Sequence, residues 1–239
     1  MSLTHLLPFI STAVTFVFAL SVFNRYRIGR KPYTLMWGIG LTLYGIGTLA
    51  EAYLAIGWSS VLLRLWYLSG AMLTAAWLGQ GTVFLLIRRP RVAASLAGGL
   101  AVVSLIALVA VFTTSVNGAA FRASVPISTQ YKDLLSRSGL MILLTILLNI
   151  YGTLTLVGGA AWSAWLFARK RVLPNRMMGS ILIAVGGLFP ASAGTFISLG
   201  WGDWLYLSEL FGAALMFLGF WLATQPQTAE RPAREAVRA

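Results

Sequence analysis

The sequence contains no cysteine and only one histidine, His5, among its 239 residues. Without cysteine the chain cannot form a disulfide, a thiolate nucleophile or a cysteine-ligated metal centre. A single histidine also leaves no pair for bis-histidine haem ligation or for a histidine-based metal site. The sequence also lacks a phosphate-binding glycine loop after a strand, a paired-aspartate motif and a nucleophile with a nearby base. We therefore expect a protein that is not an enzyme and that holds no cofactor.

Charged residues are also scarce. They make up 10% of the chain, whereas hydrophobic residues make up 58% and the mean hydropathy is +0.81. A soluble domain usually has about 25% charged residues to cover its surface. Apolar runs of about 18 residues recur along the chain, which is typical of transmembrane helices. The composition therefore predicts an all-α, multi-pass membrane protein without a sizeable soluble domain.

The apolar segments predict a seven-transmembrane helix bundle within residues 1–223. The expected spans are residues 6–24, 33–56, 63–87, 92–113, 139–167, 177–199 and 204–223. The first span is not expected to be a cleaved signal peptide, because no basic residues precede it and no small-x-small site follows it before Arg25. Residues 114–138 are expected to form an outer loop, for which a solvated connector is favoured over a lid with a hairpin or interfacial helix. Residues 224–239 are expected to be a disordered tail.

The eighteen Lys and Arg residues are distributed unevenly between the two sides of the predicted bundle. Four lie on one side: Arg64, Arg122, Lys132 and Arg137. Fourteen lie on the other, at Arg25, Arg27, Arg30, Lys31, Arg88, Arg89, Arg91, Arg169, Lys170, Arg171, Arg176, Arg231, Arg234 and Arg238. The positive-inside rule then places the N-terminus outside and the C-terminus in the cytoplasm of a bacterial plasma membrane. This distribution accounts for the net charge of +12 as a topology signal, aided by anionic lipids, so no nucleic-acid partner is expected.

Two short motifs recur near the two ends of the chain. Residues 56–58 (IGW) are echoed by residues 199–201 (LGW), and residues 67–69 (YLS) are echoed by residues 206–208 (YLS). The pairs are consistent with a parallel 3+1+3 repeat, in which spans 1–3 correspond to spans 5–7 and span 4 is a linker. Chance similarity is the alternative, because aromatic residues are common at membrane interfaces.

Two acidic residues lie within the apolar segments, Glu51 in span 2 and Glu209 in span 7. They are predicted at similar depth below the outer surface, where Arg64 is the only nearby cation. An unpaired carboxylate at this depth costs several kcal/mol. One of the two is therefore expected to pair with Arg64, or to stay protonated because an apolar environment disfavours the charged form. The arrangement fits a packing clamp between spans 2, 3 and 7, or a ligand or proton site open to the outer face. A third alternative is that one of the two acids reaches the membrane interface.

Aromatic and hydroxyl residues accompany these acids at helical spacing. We expect a ligand-binding site with Glu51, Arg64 and Glu209 setting its polarity, together with Trp37, Tyr44, Thr48, Tyr67, Thr74, Trp77 and Tyr206. Other polar residues are assigned to packing. Asn149 is expected to form an interhelical hydrogen bond, Gln80 to pack within span 3, and Pro190 to bend span 6.

Two segments carry a family resemblance, LNIYGTLTLVGGAAWSAWLF (residues 148–167) and YLSELFGAALMFLGF (residues 206–220). They resemble an uncharacterised family of bacterial seven-span membrane proteins. This resemblance covers about half of the chain and implies a membrane location but no activity. The overall plan is also similar to microbial rhodopsins and to small 3+1+3 sugar transporters. The last span has no lysine that could form a retinal Schiff base. The sugar transporters have a pair of proline-containing motifs, whereas here only span 6 has such a proline, Pro190.

The sequence supports three functions. The first is a receptor- or scaffold-like protein that holds a small apolar or amphipathic molecule, or another membrane protein, at an outward-facing site between spans 2, 3, 6 and 7. Such a cavity should end near Thr74. The second is a small-solute or proton-coupled transporter, whose path to the inner face would need Gln80 and Asn149. The third is an accessory subunit of a larger complex, with a lipid-facing stripe of small residues at Ala93, Gly98, Gly99 and Ala101.

Overall fold

A computed structural model describes residues 3–123, 125–170, 173–192 and 203–225, and these residues are predominantly helical. In chain order the helices are α1 (Leu3–Gly29), α2 (Pro32–Leu54), α3 (Ser60–Leu86), α4 (Pro90–Thr113), α5 (Ile127–Leu134), α6 (Gly139–Lys170), α7 (Pro174–Ala191) and α8 (Asp203–Thr224). No strand occurs within the described ranges, which contain one isolated β-bridge between Val116 and Leu135. The predicted all-α class is confirmed.

Local sequence explains where several helices begin. Proline is the first residue of α2, α4 and α7, where its missing N–H breaks no helical hydrogen bond. Serine caps α3 and α6. The Oγ of Ser59 accepts a hydrogen bond from the backbone N–H of Leu62 at 3.3 Å, and the Oγ of Ser138 accepts one from Met141 at 3.2 Å.

Among the described residues, five helical stretches are long and apolar enough to cross a membrane, which supports an integral membrane protein. They are Leu7–Gly29, Ser60–Leu86, Pro90–Thr113, Gly139–Lys170 and Tyr206–Thr224. Helix α2 is outside this set because its glycines, tyrosines and Glu51 lower its hydropathy. Helix α7 is also outside this set. The predicted sixth span continues beyond its end into residues 193–199, which lie outside the described residues, as do residues 226–239 of the predicted tail.

Six of the helices pack in a closed ring. Helix α1 packs against α2 and α8, α2 packs against α3, α3 against α6, α6 against α7, and α7 against α8. Helix α4 lies outside the ring, against α3 and α6. Many of its apolar side chains, such as Leu105 and Val109, are exposed. A helix that is apolar on its exposed side is typical of contact with lipid.

Glycine allows neighbouring ring helices to approach closely. A Cβ atom at Gly47 of α2 would lie 2.9 Å from the Cα of Gly70 in α3. A Cβ atom at Gly152 of α6 would overlap the backbone of Ala75 in α3. Helices in membranes associate through such small residues, because lipid provides no hydrophobic driving force between them.

The α2–α3 and α7–α8 pairs use glycine at corresponding positions. Gly40 and Gly47 of α2 contact α3, and Gly179 and Gly186 of α7 contact α8. The second pair of glycines follows the first by 139 residues, and the two YLS motifs have the same separation. The order of helices in the ring is also the order that a twofold relation between α1–α3 and α6–α8 would produce.

The segment between α4 and α6 packs against one end of the bundle. The side-chain Nε2 of Gln130 donates to the carbonyls of Arg122 at 3.0 Å and Val125 at 2.7 Å. Ile127 and Leu134 of α5 are 2% and 0% exposed. The segment is therefore not the solvated connector that the sequence favoured, because α5 covers the bundle end with buried apolar side chains.

The glycine contacts make a prediction for stability. We expect Gly152→Ala to lower the free energy of unfolding by about 1–3 kcal/mol, because the new methyl group meets the backbone of α3. Gly98→Ala on α4 is the matched control, since no atom lies within 4 Å of a Cβ there. Its effect should be neutral or slightly stabilising through helix propensity. Thermal unfolding in detergent micelles measures both, and equal melting temperatures would contradict the close contact.

Candidate functional site

An internal cavity of about 340 Å³ lies between α2, α3, α6, α7 and α8. Ligand pockets typically measure about 300–1,000 Å³, so this cavity can hold a small molecule. Helix α5 contributes to its wall through Ser128 and Tyr131. The full lining combines polar, aromatic and apolar residues: Tyr44, Gly47, Thr48, Glu51, Trp66, Gly70, Ala71, Thr74, Ala75, Leu78, Ser128, Tyr131, Asn149, Gly152, Thr153, Leu156, Val157, Gly187, Pro190, Glu209 and Met216.

The structure brings Glu51 of α2 and Glu209 of α8 together at this cavity. Glu51 is 2% exposed, and the two carboxyl groups lie within hydrogen-bonding reach of each other. Neither Oε1 of Glu51 nor Oε2 of Glu209 has a hydrogen-bond donor in the described part of the chain. An ionised carboxylate is only an acceptor. The donors for these two oxygens must therefore come from outside the described side chains, from water or from a bound molecule.

Tyr44 links the two helices that carry the acids. Its Oη donates a hydrogen bond to the backbone carbonyl of Glu209 at 2.8 Å. Thr48, one turn further along α2, donates to the carbonyl of Gly45 at 3.2 Å and accepts a hydrogen bond from Thr12 of α1 at 3.0 Å. These bonds hold α2 between α1 and α8, so Glu51 is carried on an anchored helix.

Half of the residues that the sequence assigned to the site line the cavity. These are Tyr44, Thr48, Glu51, Thr74 and Glu209. The remaining five, Trp37, Arg64, Tyr67, Trp77 and Tyr206, are not among its lining residues. The first group comes mainly from α2, whose regular helical turn preserves the spacing read from the sequence.

Arg64 does not pair with either glutamate within the described residues. Its Nη2 donates to the carbonyl of Thr114 at 3.0 Å, and its Nη1 donates to the carbonyl of Ser60 at 3.4 Å. Arg64 therefore ties the start of α3 to the end of α4. The expected pairing fails because Arg64 extends from α3 towards α4, whereas Glu51 faces α8.

The aromatic residues expected in the site contact other helices. The Tyr67 hydroxyl hydrogen-bonds with Thr145 Oγ1 of α6 at 3.1 Å, and Trp77 Nε1 donates to Ser104 Oγ of α4 at 3.2 Å. Trp37 packs beside Phe220 of α8 with ring centroids 6.0 Å apart, and Tyr206 is buried in α8.

A π-helical stretch explains why Tyr67 of α3 does not line the cavity although Thr74 does. Residues Trp66–Leu73 form a π-helix, which has more residues per turn than an α-helix. Side chains on either side of it are therefore rotated relative to the regular 3.6-residue spacing. As a result Trp66, not Tyr67, lines the cavity. A second π-helical stretch, Leu154–Gly158 of α6, contributes two further lining residues. Such π-helical turns frequently occur at functional sites.

Asn149 has two roles in the structure. Its Nδ2 donates to the carbonyl of Ala71 at 2.7 Å, which confirms the expected interhelical hydrogen bond. That carbonyl belongs to the π-helical stretch of α3. Asn149 also lines the cavity, whereas the sequence analysis considered it beyond packing only for the inner path of a transporter. A polar residue in an apolar span was the only signal that could have indicated this.

Tyr131 is a second lining residue that sequence reasoning missed. Its ring lies 5.6 Å from that of Trp66 and 5.8 Å from that of Tyr67, and the Arg137 guanidinium stacks 5.0 Å from its centre. Burial raises the pKa of the Tyr131 phenol, and the positive charge of Arg137 partly offsets this effect. The hydroxyl therefore stays protonated as a hydrogen-bonding group.

The position of Arg64 leads to a prediction about stability. We expect Arg64→Gln to lower the free energy of unfolding by about 1–3 kcal/mol, because it removes a charged donor from the Thr114 carbonyl. Lys132→Gln on the exposed side of α5 is the control and should have little effect. Thermal unfolding of both variants in detergent micelles checks this. Unchanged stability of the Arg64 variant would show that the Thr114 contact contributes nothing.

No protein-family model, no curated protein and no solved structure matches this chain. The family resemblance of residues 148–167 and 206–220 therefore stays a prediction.

Proposed function

We propose that the protein binds a small amphipathic molecule within a membrane-embedded helix bundle and acts as a receptor-like protein, not as an enzyme. The observation that carries this proposal is the cavity between α2, α3, α6, α7 and α8, with Glu51 and Glu209 in its wall. Apolar residues such as Leu78, Leu156 and Met216 supply the rest of the wall. A mostly apolar cavity with a few convergent polar groups is the usual form of a small-molecule site.

Contacts beyond the cavity favour a receptor over a carrier. Leu78 is the last α3 residue in the cavity wall, one turn beyond Thr74. Gln80 follows it and is fully buried. Its Nε2 donates to the carbonyl of Ala93 at 2.9 Å, and its Oε1 accepts a hydrogen bond from Tyr151. A transport path through Gln80 would require both bonds to break.

The seven-span topology is part of the same proposal. Helices α2 and α7 complete the ring that the apolar spans α1, α3, α6 and α8 form, and α4 adds a seventh helix outside it. The guanidinium of Arg25 lies 3.5 Å from the carbonyl of Thr224, so the C-terminal ends of α1 and α8 meet at one end of the bundle. We place this basic end in the bacterial cytoplasm and α5 outside. The glycine positions favour the 3+1+3 repeat.

The cavity makes a prediction about binding. We expect 2-phenylethanol to raise the melting temperature of the natural chain in detergent micelles, and Ala71→Leu to remove this shift by filling the cavity. Ala94→Leu on the exposed side of α4 is the matched control and should keep the shift. Thermal unfolding followed by tryptophan fluorescence measures all three proteins. A shift of equal size in the Ala71 variant would place the binding elsewhere.

The orientation can be tested with single cysteines, because the natural chain has none. Ser136→Cys and Ala168→Cys place an exposed thiol near each end of the bundle without changing the charge. In intact cells, a membrane-impermeant maleimide should label the Ser136→Cys variant. It should label the Ala168→Cys variant only after the cells are permeabilised. The reverse pattern would overturn the N-out orientation.

A further inference from the structure

The electrostatics of the cavity point to the chemical class of its ligand. The ionisable side chains in its wall are Glu51 and Tyr44 of α2, Glu209 of α8 and Tyr131 of α5. Helices α3, α6 and α7 contribute no ionisable side chain to it, and no Lys, Arg or His is among the lining residues. The described wall can therefore carry negative charge with no positively charged side chain in the wall itself. Arg137 stacks on Tyr131 but is not among the lining residues.

The unsatisfied oxygens of the two acids indicate what the cavity lacks. Oε1 of Glu51 and Oε2 of Glu209 are buried acceptors that no group in the described residues serves. Each such group costs about 1–3 kcal/mol. Of the eight buried side-chain atoms without a partner in the described residues, these two and Ser128 Oγ belong to residues of the cavity wall. A donor from a bound molecule would remove this cost. A positively charged donor would do so most effectively, because charge-assisted hydrogen bonds are the strongest.

We propose that the cavity binds a small organic ammonium ion whose nitrogen lies between Glu51 and Glu209. This inference rests on the proposed binding function and names the ligand class. An ammonium group carries three N–H donors, which can serve both carboxylates and one neighbouring hydroxyl or amide. The apolar part of the ligand lies against Trp66, Leu156 and Met216, which also line the cavity.

The size and composition of the wall favour an organic cation over a metal ion. The volume of about 340 Å³ is far larger than a single ion needs, and much of the wall is apolar. The described residues contain no group of three or more His, Cys, Asp or Glu side chains that could hold a metal. A molecule with a charged end and an apolar end fits both features.

Binding of the cation releases the proton that the pair otherwise holds. The carboxyl O–H bond breaks, the proton leaves to solvent, and both carboxylates accept hydrogen bonds from the ammonium group. The net charge of the site is the same before and after the exchange. Because one proton is released for each cation bound, affinity should rise by up to about tenfold per pH unit while the free pair keeps its proton.

The test compares 2-phenylethylamine with 2-phenylethanol, which differ by an ammonium group in place of a hydroxyl. The chain without substitutions is titrated in detergent micelles with each compound at pH 6, 7 and 8, where the amine stays protonated. We expect the amine to bind at least about tenfold more tightly than the alcohol at pH 8, and to bind more tightly at pH 8 than at pH 6. The affinity for the alcohol should not change with pH.

Glu51→Gln together with Glu209→Gln provides the matched variant. Glutamine keeps the size of both side chains, so the fold and the alcohol-induced shift in melting temperature should be retained. The preference for the amine and its pH dependence should disappear. A variant that keeps the full preference for the amine would overturn the assignment of the two glutamates.

The remaining outcomes separate this inference from the binding function on which it rests. If the alcohol binds in an Ala71-dependent manner and the amine binds no better, the cavity binds ligands but the ammonium proposal is wrong. If neither compound binds, both proposals fail. If sodium chloride, added at the same concentration in place of the amine hydrochloride, gives the same shift as the amine, the site takes a metal ion and the ammonium proposal is overturned.

Discussion

The internal satisfaction of polar groups is the constraint on which this bundle depends. A membrane core offers no water, so each polar group must find a partner within the protein. The ring helices meet this requirement through pairs such as Tyr67 with Thr145 and Gln80 with the Ala93 carbonyl. Eight buried side-chain atoms of the described residues are exceptions, and they include one oxygen each of Glu51 and Glu209. Three of the eight, on Glu51, Ser128 and Glu209, belong to residues that line the candidate site.

Much of the fold follows from composition and from regular helical spacing. Long apolar runs predict membrane helices whatever their neighbours are. The spacing of Tyr44, Thr48 and Glu51 puts them on one face of α2, and this prediction is useful because α2 is an uninterrupted α-helix. Depth could also be read from the sequence to within about one turn, since Glu51 lies three residues before the end of α2 and Glu209 six residues after the start of α8. These local rules need no tertiary information.

The parts that could not be read from the sequence depend on contacts between helices. The π-helical stretch Trp66–Leu73 rotates the face of α3, and one of its carbonyls is held by Asn149 of α6, far away in the sequence. Tyr67 and Trp77 consequently contact α6 and α4. Arg64 could reach several acceptors, and the choice of the Thr114 carbonyl depends on where α4 ends. The helix propensities of the residues do not predict which helices these side chains contact.

Helix α5, which covers one end of the bundle like a roof over the cavity, has a consequence for the rate at which a ligand leaves. Tyr131 lies in the cavity wall and against Trp66, while the side-chain amide of Gln130 fastens this helix to the preceding loop. A molecule that leaves through this end must wait until those contacts open. Its dwell time is then governed by the frequency of roof opening, which depends on local stability and not only on the strength of the ligand's own bonds. Two ligands of very different affinity could in that case escape at similar rates.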